Sequence, residues 1–185
     1  MGKLILVTGG ARSGKSAFAE KKAAECGEKV LYVATAIPFD DEMKDRVRKH
    51  RESRPAAWKT LEAYKNLDEC IPVHGNGMDA VLLDCVTVMI TNIMFEKEVD
   101  WDTCPMSIIN EIEAGVLEEV QKLIDVSLRV DAVVIAVTNE LGLGLVPGQR
   151  LGRVFRDIAG RVNQKLAGAA DEVYFAVCGI PMRVK

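Results

Sequence analysis

Gly9-Gly10-Ala11-Arg12-Ser13-Gly14-Lys15-Ser16 stands directly behind the apolar run Leu4-Ile5-Leu6-Val7 and Thr8. The spacing has a chemical reason. Gly9 and Gly14 let the backbone curl so that successive N–H groups, those of Gly10, Ala11, Arg12 and Ser13 among them, point inward at phosphate oxygens. Lys15 then reaches the outer phosphates, and the Ser16 hydroxyl suits Mg²⁺. A helix opening at the loop turns its positive end toward the same anion. A glycine-rich turn without a ligand would not need all eight positions between a strand and a helix. The stretch predicts a nucleoside triphosphate site.

Working outward, apolar runs rich in Val, Ile and Leu alternate with helical patterns, which is the order expected of a parallel sheet wrapped by helices. Strands are predicted at about 3–8, 29–34, 80–84, 131–137 and 172–177, with an edge strand at 180–184. Periodicity of 3.6 residues predicts helices at about 15–26, 41–53, 86–97, 105–128 and 149–168. Between 106 and 128 the stripe Ile108, Ile109, Ile112, Val116, Val120, Leu123 and Ile124 reads as core packing. The fold class is therefore α/β, a P-loop NTPase-type three-layer sandwich with a mostly parallel sheet and a short antiparallel edge strand. No repeat or low-complexity linker divides the chain, so residues 1–185 are expected to form a single nucleotide-binding catalytic domain. Ligands of such sheets sit beyond the carboxyl ends of the strands.

Composition narrows the function. A net charge of −3 leaves no basic surplus for general nucleic-acid binding. No apolar stretch approaches the ~20 residues of a membrane span, and the N-terminus enters a strand at once, without the pattern of a signal peptide. Cys26, Cys70, Cys85, Cys104 and Cys178 are odd in number and lack CxxC spacing. They are expected to be mostly small core residues in a reducing cytoplasm.

Two further features point to chemistry. Asp84 ends the strand Ala80-Val81-Leu82-Leu83, where a carboxylate is placed to ligate the Mg²⁺ of a phosphate loop; the competing reading is an N-cap for the helix at Val86. The segment 40–58 is the second feature. Asp40 or Asp41 can cap a helix that Pro55 ends, and Arg46 and Arg54 lie four residues either side of His50, on its face. Cations there lower a histidine pKa and keep a ring nitrogen nucleophilic. Taken alone, a histidine on a charged helix is more often a solvated surface residue. His74, in Val73-His74-Gly75-Asn76-Gly77, is read as only that, on a surface loop.

Four blocks together carry a resemblance: Thr8 to Ser16; Asp41-Glu42-Met43 through His50-Arg51 and Arg54-Pro55 to Trp58; Val137-Thr138-Asn139-Glu140 running into Leu141–Pro147; and Phe155 to Gln164 followed by Ala170-Asp171-Glu172-Val173. They resemble the bifunctional adenosylcobinamide kinase / adenosylcobinamide-phosphate guanylyltransferase family of cobalamin biosynthesis almost end to end. That family phosphorylates adenosylcobinamide with ATP or GTP. It then transfers GMP from GTP to the phosphate through a guanylylated histidine, releasing pyrophosphate. The resemblance makes His50 the nucleophile, with Lys15 carrying charge on the departing group. It assigns nucleotide contacts to Gly9–Ser16, to Thr35, Ala36 and Ile37, to Arg51, Glu52, Ser53 and Arg54, and to Glu62 and Asp84, with Ser16 and Asp84 on Mg²⁺. Glu62 is a candidate for reading the guanine N1–H and amino group. The resemblance also implies a homo-oligomer, a trimer with sites near subunit contacts. Some relatives carry Glu where this chain has Asp84, and some carry two adjacent histidines where Lys49 precedes His50 here. The loop Gly142–Gly148 could move over the corrinoid or could be a simple connection. Arg150, Arg153, Arg156 and Arg161 are candidates for phosphate or subunit contacts.

Two rivals remain at this level. A plain small-molecule kinase would use the phosphate loop and Asp84 without a nucleophilic histidine. A nucleotide-driven switch is disfavoured, because Thr138-Asn139-Glu140-Leu141 does not match the Asn-Lys-x-Asp guanine signature of regulatory GTPases.

Overall fold

A parallel strand is covered on both faces, so its residues run apolar without alternation. Leu4, Ile5, Leu6 and Val7 are all buried for this reason, as are Val81–Leu83 and Val134–Val137. The structure is a computed structural model and describes residues 2–37 and 55–185. Its elements are β1 (Lys3–Gly9), α1 (Lys15–Cys26), β2 (Val30–Ala34), β3 (Lys59–Glu62), α2 (Leu67–His74), β4 (Ala80–Asp84), α3 (Val86–Met94), α4 (Met106–Arg129), β5 (Val133–Asn139), α5 (Arg150–Ala169), β6 (Glu172–Val177) and β7 (Ile180–Arg183).

The strands form one sheet in the order β3-β2-β4-β5-β1-β6-β7. All neighbours are parallel except β6 and β7, which pair antiparallel at the edge. Alternate residues of β1 serve different layers. Leu4 and Leu6 join Leu67, Met89, Val116, Leu123, Ile158 and Val162 in the larger core, under α2 to α5. Ile5 and Val7 join Ala19 and Ala23 of α1 in the smaller one. Burying such a side chain is worth roughly 1.5–3 kcal/mol, which is why the sheet centre and not its edges sets the fold. The expected α/β sandwich with its antiparallel edge is the observed one.

Two elements differ from the sequence reading. β3 is a short edge strand with a mostly exposed pattern, Lys59-Thr60-Leu61-Glu62; four residues with one apolar position carry no period. α2 contains Pro72, whose missing N–H and ring clash ordinarily argue against a helix interior. Leu67 and Ile71, both buried in the larger core, hold it in place. His74 is consequently the last residue of a helix and not part of a loop, although it is exposed and its Nδ1 lies 2.9 Å from the Cys70 carbonyl oxygen. The strand expected at 131–137 runs on to Asn139, which brings Thr138 and Asn139 into the sheet. The helix expected at 41–53, with its caps Asp40 or Asp41, lies outside the described residues. The thiols also depart from expectation. Cys85 and Cys104 are buried, Cys26 and Cys70 half-buried, and Cys178 is exposed at the turn into β7.

Candidate active site

β1 stops at Gly9, and α1 begins at Lys15 with Gly14 as its N-cap. No side chain caps that helix, so its first-turn amides, which have no intrahelical acceptor, face the hollow of the loop. Both glycines are required by close approach. A Cβ on Gly9 would stand 2.6 Å from the Ala176 carbonyl oxygen and 2.6 Å from Ser13 Oγ. Gly14 has φ +89°, and a Cβ there would meet Gly179 Cα at 2.9 Å. Arg12 also takes a left-handed φ of 54°, which turns the loop amides inward as an anion-binding nest. The β6–β7 turn braces the loop from outside: the Gly179 N–H donates to the Ser13 carbonyl at 2.9 Å. Lys15 Nζ donates to the Gly10 carbonyl at 3.1 Å, so the ammonium lies over the loop's own entrance.

Asp84 ends β4, two strands from β1 with β5 between. It shares the α1 face of the sheet with Leu82, one register step on. Tyr32 Oη donates to Asp84 Oδ2 at 3.0 Å, which orients the carboxylate and leaves Oδ1 for another partner. The N-cap of α3 is Cys85, not Asp84, so the capping alternative is set aside. Burial, reinforced by the charge of Asp84, pushes the Cys85 thiol up to about 11, although Lys15 pulls against it. That thiol is a packing group and not a nucleophile.

Ser16 and Asp84 offer a hydroxyl and a carboxylate, the hard oxygen donors that Mg²⁺ prefers. Among the described residues no cluster of three or more His, Cys, Asp or Glu side chains forms a metal cage. One carboxylate and one hydroxyl fit an ion that takes its other ligands from water and substrate phosphates, the usual manner of Mg²⁺ in phosphoryl-transfer sites.

Thr35 is buried, and its hydroxyl is used twice by Cys85: it donates to the carbonyl at 2.8 Å and accepts from the N–H at 2.9 Å. Asn92 Nδ2 donates to the Thr35 carbonyl at 2.7 Å. Ala36 and Ile37, half-buried beyond it, are the part of this segment left facing outward. Glu62 is exposed at the end of β3, paired in register with Ala34. Four strand spacings separate β3 from β1, on the order of 19 Å. A ligand touching both Glu62 and Lys15 must lie extended across the carboxyl edge of the sheet. His50, Arg51, Glu52, Ser53 and Arg54, together with Arg46, lie outside the described residues.

Sequence reasoning missed a polar network on the other face of the same edge. Asn139 N–H donates to Thr87 Oγ1 at 2.7 Å, and Asn163 Nδ2 donates to the Asn139 carbonyl at 3.0 Å. Thr138 Oγ1 donates to Asn163 Oδ1 at 2.7 Å. The Val137–Glu140 and Phe155–Gln164 blocks, far apart in the chain, thus meet at the end of β5. The arginines of α5 are partly accounted for within the chain. Arg150 holds the Trp101 and Asp102 carbonyls, Arg153 those of Pro147 and Gly148, and Arg161 pairs with Glu113.

Comparison with known proteins adds the following. A family model described as cobinamide kinase / cobinamide phosphate guanyltransferase matches residues 5–184. The chain is 48% identical to the bifunctional adenosylcobalamin biosynthesis protein CobU of Escherichia coli strain K12, over 98% of this chain and 99% of that protein. It is 47% identical to the protein of the same name from Salmonella typhimurium, with the same coverage. Its identity to the bifunctional adenosylcobalamin biosynthesis protein CobP of Pseudomonas aeruginosa is 38%, over 97% and 96%. Among solved structures, the flagellar accessory protein FlaH of Methanocaldococcus jannaschii aligns with 99% of this chain and 78% of its own at 15% identity and a TM-score of 0.49. That likeness is too distant to bear on chemistry. No described helix is long and apolar enough to cross a membrane.

Proposed function

The chain belongs to the cobinamide kinase / cobinamide phosphate guanyltransferase family of bifunctional transferases, and on that premise we propose the following two-step reaction. The enzyme phosphorylates the aminopropanol hydroxyl of adenosylcobinamide with ATP or GTP. It then takes GMP from a second GTP onto His50 and passes it to the new phosphate, giving adenosylcobinamide-GDP and pyrophosphate. The observation that carries the reading is the joint placement of Lys15 and Asp84 at the carboxyl ends of β1 and β4, flanking β5.

In the first step the loop amides and Lys15 hold the β- and γ-phosphates. The acceptor oxygen bonds to the γ-phosphorus as the β–γ bridging bond breaks. In the second step a neutral His50 nitrogen attacks the α-phosphorus of GTP, and the electron pair of the broken P–O bond leaves on pyrophosphate, beside Lys15. The phosphate of the corrinoid then displaces the histidine. Mg²⁺, held by Ser16 and Asp84, would neutralise phosphate charge in both steps. Ala36, Ile37 and Glu62 are the proposed path of the ribose and guanine, with Arg51 to Arg54 closing over it.

Mixing the full chain with Mg-GTP labelled at the α-phosphate tests this directly. The protein should acquire an acid-labile, base-stable label that adenosylcobinamide phosphate discharges, and His50→Ala should acquire none. Normal turnover without any label, or a label that survives in His50→Ala, would overturn the histidine route.

A further inference from the structure

Three carboxylates stand at or just past the carboxyl ends of strands among the described residues: Glu62, Asp84 and Glu140. Glu62 is four strands from the phosphate loop, and Asp84 has one oxygen engaged by Tyr32. Glu140 is different. Its backbone N–H donates to the Gly9 carbonyl at 3.0 Å, so it stands against the first residue of the loop. Lys15 Nζ holds the next carbonyl, that of Gly10.

The residue before it is clamped on both sides. Thr87 takes the Asn139 N–H, and Asn163 holds the Asn139 carbonyl. Because β5 lies between β1 and β4, its end falls between the loop and Asp84, where a transferring γ-phosphoryl group would sit. The Glu140 side chain is half-buried, and its Oε1 accepts the Gly142 N–H at 2.5 Å. The backbone is thus fixed, and one carboxylate oxygen is held by the loop that follows, which is the preorganisation a proton acceptor needs.

We propose that Glu140 is the general base of the kinase step, a role resting on the kinase reading above. As the acceptor hydroxyl oxygen bonds to the γ-phosphorus, its proton passes to a Glu140 carboxylate oxygen. The electron pair of the β–γ bridging P–O bond departs on the nucleoside diphosphate, and Glu140 later releases the proton to water. Guanylyl transfer needs no such base, since its nucleophiles are an imidazole nitrogen and a phosphate oxygen.

The test is Glu140→Gln in the full chain, because the glutamine oxygen still accepts the Gly142 N–H. Phosphorylation of adenosylcobinamide should lose about 10²–10⁴-fold in kcat, with KM for ATP within threefold. Loading of the protein by α-labelled GTP should stay within threefold. Glu140→Asp should recover at least tenfold over the glutamine variant. Kinase kcat within fivefold of wild type would overturn the assignment. A parallel loss of phosphorylation and loading would also overturn it, since that is the mark of a shared nucleotide-holding or structural role. Wild-type enzyme that forms no phosphorylated corrinoid would bring down the kinase reading itself, and this inference with it.

Discussion

The two ends of the sheet treat polar groups in opposite ways. At the amino end, Lys3 Nζ binds Glu172 at 2.5 Å, Tyr174 Oη donates to the other oxygen of Glu172, and Arg183 stands 3.9 Å away. Leu4 N–H finds Asp171 Oδ2 at 2.8 Å, and Lys29 N–H finds Asp79 Oδ2 at 2.9 Å. At the carboxyl end, the buried hydroxyls of Thr8 and Ser13 have no partner among the described residues, and non-glycine Arg12 is held at positive φ. An unsatisfied buried hydroxyl costs about 1–3 kcal/mol. One end is closed by its own side chains; the other, although Asp84, Thr138 and Asn139 find partners there, is left incomplete at the loop itself, around a hollow shaped for an anion. Stability and chemistry have been given separate edges of one sheet.

The largest effect expected from breaking this division is at Lys15. Lys15→Ala should lower both phosphorylation and guanylyl loading by about 10²–10³-fold, while the melting temperature moves by less than about 2 °C. A melt shifted as far as the rate would mean that the loop also carries the fold. Asp171→Ala is the converse. It strips the Leu4 N–H of its acceptor and should cost about 1–2 kcal/mol, several degrees in Tm, with kcat within about twofold; Asp171→Asn, which keeps an oxygen there, should restore most of the loss. Loss of turnover at unchanged Tm would show that the amino end takes part in catalysis.

The smallest effect is a pH dependence. The Lys3 ammonium, together with Tyr174, holds the Glu172 carboxyl well below its ordinary 4.5, at about 2. A depressed carboxyl stabilises the fold above its unfolded value and ceases to do so as pH falls. Its contribution should therefore be whole above about pH 4.5 and fade toward pH 2. Lys3 is substantially exposed, so the solvent-screened size is about 1 kcal/mol. Urea titrations of wild type and Glu172→Gln should diverge above pH 4.5 and converge toward pH 2; parallel curves throughout would remove the linkage.

Much of the site was legible because its determinants are local. Gly9, Gly14, Lys15 and Ser16 fall within one strand–loop–helix unit, and Asp84 ends a strand that its own apolar run announces. Glu140 was quoted in a block without a role, because its meaning depends on which strand lies beside β1. Tyr32 as the partner of Asp84 was not legible for the same reason: the two are 52 residues apart and meet only because β2 pairs with β4. β3 and α2 escaped notice because neither is specified by its own residues. β3 borrows its order from β2, and α2 tolerates Pro72 because Leu67 and Ile71 are buried.

Read without coordinates, the chain determines its alternation of strands and helices, its phosphate loop and its family, since each is written in contiguous residues whose period or spacing is local. Strand order is another matter. The insertion of β5 between β1 and β4, which sets Glu140 against Gly9 and joins Asn163 to Asn139, belongs to the tertiary structure alone. Hydrogen bonds between strands join backbone atoms of every residue alike, so the pairing of strands distant in sequence is decided by how helices and cores pack together.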